Sequence, residues 1–91
     1  MSNLIKKTTM TIGKIRIRLN DGSHHTLKRA EELSKIDSTR KAVFVYGPNE
    51  VYIGYSDGVT DRDGMFRVTT IFDHDSRPMS SVSLIGWAYL K

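Results

Sequence analysis

A chain of 91 residues with a formal net charge of +4 and no cysteine is long enough to close one core. It excludes a disulfide framework or a thiolate metal site. No apolar run reaches membrane-span length, and the two apolar residues Leu4 and Ile5 are too few for a signal-peptide region, so a cytoplasmic protein is expected.

The charge is unevenly placed. Up to Tyr46 ten Lys/Arg stand against four Asp/Glu, giving +6; from Gly47 onward four stand against six, giving −2. Such an asymmetry points to a face for polyanions.

Residues 1–9 are mostly polar, with Lys6 and Lys7 adjacent, and are expected to form a flexible arm of a single domain over 1–91. Lys14-Ile15-Arg16-Ile17-Arg18-Leu19 has the cleanest alternation in the chain. Ile15, Ile17 and Leu19 fall on one face and Lys14, Arg16 and Arg18 on the other, the period of a half-buried strand. A bulge at Gly13 would bring Met10 and Ile12 to the core side. Asn20-Asp21-Gly22 ends the strand as a turn, and Ser23 to Thr26 continues as a short second strand.

Leu27 to Ile36 is the one helical segment expected, two to three turns long, with Thr26 as its cap. Ala42 to Phe72 then predicts three strands joined by tight turns, at Gly47-Pro48-Asn49-Glu50 and at Asp57-Gly58 with Asp63-Gly64. Asp73 to Pro78 is expected as a loop. A last strand over Ser81–Leu90, bulged at Gly86 and carrying Trp87, closes the sheet. The predicted core comprises Ile15, Ile17, Leu19, Val43, Val45, Ile53, Phe66, Val68, Phe72, Val82, Leu84 and Trp87. The expected fold is mainly β, a small, partly open, five- to six-stranded barrel with one short helix.

Little in the chain supports catalysis. Adjacent residues on a strand point to opposite faces, so His24 and His25 would not share an ion, and no metal site is expected with His74 either. Asp61-Arg62-Asp63-Gly64 lacks the outer acids of a calcium loop, having Val59 and Thr70 in their places. No glycine-rich phosphate loop precedes a helix, so no cofactor is expected. Asp73 and Asp75 flank His74 without a nucleophile beside them, and the chain is taken as no enzyme.

The remaining signal is basic and aromatic. Lys14, Arg16 and Arg18 make a cationic row that would track phosphates, joined by Lys28 and Arg29. Tyr52 and Tyr55 would stack on single-stranded bases. The competing reading is that charges on a half-exposed strand prevent edge-to-edge pairing and the tyrosines plug the barrel.

Ile15-Arg16-Ile17-Arg18-Leu19-Asn20-Asp21-Gly22 resembles the opening strand and turn of Sm-like proteins, and Leu84-Ile85-Gly86 is similar to their second motif. The resemblance implies a strongly bent barrel of Sm-like or SH3-like shape that binds RNA as a ring. The chain departs from that pattern where Leu27 to Ile36 follows the first turn. It departs again at Ile85, which replaces an RNA-contacting arginine. The expected function is single-stranded nucleic-acid binding, RNA in particular, by a homo-oligomer. The alternative is an assembly module that self-associates by strand edges, with Phe66 to Phe72 the least guarded stretch.

Overall fold

The structure, a computed structural model, describes residues 5–11, 14–72 and 74–90. It is mainly β. In chain order the elements are β1 (Ile5–Thr11), β2 (Lys14–Leu19), β3 (His24–Leu27), a 3-10 helix (Ala30–Lys35), β4 (Ala42–Gly47), β5 (Glu50–Tyr55), β6 (Met65–Thr70), β7 (Ser76–Ser80) and β8 (Gly86–Tyr89). They form two antiparallel sheets: β1-β2-β3, and β7-β6-β5-β4-β8.

Where a partly open barrel of five to six strands was expected, the described residues form eight strands in two sheets with no closed barrel. Among the described residues the backbone ties the two sheets at the Lys28–Trp87 bridge, just beyond the end of β3, and where the Ile5 N–H donates to the Pro48 carbonyl of the β4–β5 turn at 3.3 Å. The layering follows from β4. Its continuous apolar run Ala42-Val43-Phe44-Val45 is buried throughout, as expected of a strand covered on both faces. Val43 and Val45 meet Ile17, Leu19 and Leu27 of the three-stranded sheet. Ala42 and Phe44 turn the other way, to Phe66, Val68, Trp87 and Leu33 of the 3-10 helix.

Several expectations are corrected. The polar stretch taken for an arm enters β1, where Ile5 pairs with Leu19 and Lys7 with Arg18. The backbone ladder of β1 with β2 supplies what its polar side chains do not. The expected bulge at Gly13 lies outside the described residues.

The predicted helix loses its first turn because Leu27 is buried as a strand residue and Lys28 bonds Trp87. Arg29, not Thr26, precedes the helix, and Glu32 reaches back to accept its N–H at 3.1 Å. The loop predicted over Asp73–Pro78 gives way at Ser76 to β7, an edge strand paired with β6 and carrying Pro78, a residue suited to edges. β6 is therefore paired with β7 along Met65–Thr69 and with β5 at Thr69 and Thr70.

The turn expected between β5 and β6 is a connection over 56–64. Gly58 and Gly64 do take positive φ, +70° and +79°. Gly58 lies against the Leu33 carbonyl so closely that any Cβ would overlap it, which seats this connection under the 3-10 helix. Phe72 and Val82 of the predicted core are each 83 % exposed. β6 stops at Thr70 and β8 starts only at Gly86, so both residues fall in turns where the two-residue period no longer holds. Ile15 and Ile53 are half-buried; the other eight predicted core residues are buried.

Candidate nucleic-acid interface

The basic row is carried by the middle strand of the three-stranded sheet. Ile17 and Leu19 point into the core, which obliges Arg16 and Arg18 to point out, and both are exposed. Lys14 opens the same strand, in register with Thr11 of β1. Arg16 lies between Thr9 and Thr26, and Arg18 between Lys7 and His24. His24 and Thr26 are exposed, as is Lys28 two residues on. The three strands together contain five Lys/Arg and no Asp or Glu. Sequence reasoning saw the row on β2 but not the flanking strand that sets Lys7 beside Arg18; KKTT in β1 lacks the apolar alternation that signals a strand.

Lys28 and Arg29 follow directly on β3. The Lys28 ammonium stands 5.9 Å from the centre of the Trp87 ring, a cation–π distance. Arg29 is exposed, and its carbonyl accepts the Trp87 Nε1–H at 3.1 Å. Tyr52 and Tyr55 lie on β5 of the other sheet. Tyr52 is half-buried against the cluster under the 3-10 helix, its ring edge-on to Tyr46 at 5.9 Å. Tyr55 is 40 % exposed, opposite Thr69. Neither tyrosine belongs to the basic row's sheet.

Next to the basic face, between β3 and β8, runs a cleft of about 750 Å³. His24, His25, Lys28 and Lys41 line it together with Ile53, Ile71 and Tyr89. Lys41 carries no alternation signal, and no sequence argument singled it out. Ser23 gives its hydroxyl hydrogen to Asp21 Oδ1 at 2.6 Å and its N–H to the same oxygen at 2.9 Å. Those two bonds hold the Asp21 carboxyl below its ordinary pKa. With its hydrogen so used, Ser23 Oγ accepts from His25 Nε2 at 2.8 Å, fixing that imidazole. His74 sits in the β6–β7 connection at φ +58° and does not line the cleft. Among the described residues no three His, Asp or Glu side chains come together to hold a metal, and no helix is long and apolar enough to cross a membrane.

No family model, curated protein or solved structure matches the chain. The segments Ile15–Gly22 and Leu84–Gly86 fall on β2 with its turn and on the entry to β8, whose first residue is Gly86.

Proposed function

We propose that this chain is a non-enzymatic protein that binds single-stranded nucleic acid, RNA in the first instance, on the outer face of the three-stranded sheet. One observation carries the reading: Arg16 and Arg18 are exposed on the middle strand of a sheet whose strands contain no acid. Side chains two apart on a strand recur about every 6.6 Å, so the row is a regular array of cations for a phosphate backbone. Lys28 and Arg29 prolong it at one end. Tyr55, with part of its ring exposed, is the one proposed stacking residue free to meet a base.

The same reading takes the two sheets as one bent, partly open barrel of Sm-like or SH3-like kind, hinged at Lys28 and Trp87. It places the protein in the cytoplasm, which the lack of cysteine suits. It also has the protein work as a homo-oligomer. What supports oligomerisation is β1, paired over Ile5–Thr11 with β2 alone among the strands.

An NMR titration with a mixed-sequence RNA oligomer at low salt tests the site. The amides of Arg16, Arg18, His24 and Thr26 are expected to shift first. If none of them moves, the nucleic-acid reading is wrong and the assembly module takes its place.

A further inference from the structure

The two sheets come apart where they ought to be continuous. Lys28 and Trp87 exchange both backbone hydrogen bonds, at 2.6 Å from Lys28 N–H to the Trp87 carbonyl and 3.1 Å in return. An antiparallel ladder running on from that pair would set Thr26 opposite Tyr89. Instead, both residues line the cleft, and the bridge stays isolated.

Successive residues of a strand send their N–H and C=O groups to opposite sides. Leu19 N–H bonds the Ser23 carbonyl across the β2–β3 turn, and Lys28 bonds β8. The backbone groups of His24 and Thr26 therefore face the cleft. On β8, Trp87 bonds Lys28, whereas Leu90 N–H bonds the Lys41 carbonyl on the β4 side. Tyr89, between them, turns its backbone groups to the cleft. Two strand edges thus confront one another with no strand between.

We propose that the cleft accepts an extended acidic peptide as an inserted strand, one whose acidic and apolar side chains alternate. Its backbone would pair with His24 and Thr26 on one side and Tyr89 on the other, the mode of strand addition. Alternate side chains of a strand point to opposite faces. One set would meet the apolar lining residues Ile53, Ile71 and Leu90, and the other would meet Lys28 and His24. The single acid of the lining, Asp21, is already held by Ser23 and offsets little of that positive charge. This site does not depend on the nucleic-acid reading.

The test uses fluorescein-labelled peptides that alternate Glu and Val, and peptides of the same composition with all Glu before all Val. Binding to the whole chain is followed by anisotropy and by amide hydrogen exchange. The alternating peptide is expected to bind and to slow exchange at His24, Thr26 and Tyr89. The block peptide, denied its apolar or its basic partners at half its positions, is expected to bind about tenfold more weakly, as is Thr26→Pro, which lacks a donor at the edge. Should Thr26→Pro disturb the fold, the exchange pattern of the wild type decides alone. The inference fails if those three amides exchange unchanged at saturating peptide, or if both peptides bind equally. It fails too if an RNA oligomer protects those amides while the peptides do not.

Discussion

Gly54→Ala should be among the most damaging single-methyl changes available in this chain. β5 and β6 pair at only two positions, Gly54 with Thr70 and Tyr55 with Thr69. A Cβ on Gly54 would overlap the Thr69 carbonyl oxygen. It would also stand 2.8 Å from the carbonyl carbon, inside the 3.0 Å that real Cβ contacts essentially never breach. The obstacle is backbone, so no rotamer relieves it. β6 must move away, and Phe66 and Val68, both buried, lose their packing with it. Overpacking relieved by side-chain shifts costs about 1–3 kcal/mol, so displacing a strand should cost about 3 kcal/mol or more.

The entropy that alanine removes from the unfolded chain returns only about 0.4–1 kcal/mol. Gly47→Ala is the control, because its nearest neighbour, Glu50 Cβ, would be 4.0 Å away. It should change stability by about 0.5 kcal/mol or less. Urea unfolding followed by Trp87 fluorescence measures both. If Gly54→Ala falls within about 0.5 kcal/mol of wild type, the close approach of β5 and β6 is wrong.

The other stability predictions separate buried from exposed aromatics and concern one phenol. Phe44→Ala, at a fully buried position, should cost about 3–5 kcal/mol. Phe72→Ala, at an 83 % exposed one, should stay within about 0.5 kcal/mol, and equal losses would contradict the placement of Phe72 in a turn. Burial first, then the neighbouring Tyr52 and Glu50, push the Tyr46 phenol up to about 12, while its hydroxyl donates to the Ser80 carbonyl at 2.6 Å. A folded pKa above the unfolded value of about 10 means that its contribution to stability is intact below that pH and declines as pH rises toward 12. Tyr46→Phe should flatten that decline in unfolding measured against pH. A Tyr46 ionisation midpoint near 10 in the folded protein, followed by tyrosinate absorbance, would refute it.

What could be read from the sequence was what side-chain periodicity encodes. β2 declares itself because Ile17 and Leu19 need a core and the arginines between them need water. β1 and β7 do not, because Lys7-Thr8-Thr9 and Ser76-Arg77-Pro78 belong to edge strands held by backbone pairing, which leaves no apolar signature. The head of the helix was misplaced for a tertiary reason. Lys28 follows good helical spacing, but its backbone is drawn to Trp87, a partner far along the chain. Phe72 and Val82 show the converse: apolar character without a strand beneath it does not bring burial. At the candidate site, the outward placing of Arg16 and Arg18 was legible, and the flanking of Arg18 by Lys7 and His24 was not, since only strand register sets them side by side.

The central claim is that the exposed arginines of β2 contact phosphates. Arg16→Gln with Arg18→Gln changes two outward side chains and should leave the fold intact. Each phosphate contact with a single strand contributes about −0.7 to the slope of log affinity against log salt. Binding of a single-stranded RNA oligomer should therefore weaken in the double variant, and its salt slope should flatten by about 1.4. A wild-type protein whose RNA affinity and salt slope are unchanged by both substitutions would contradict the account.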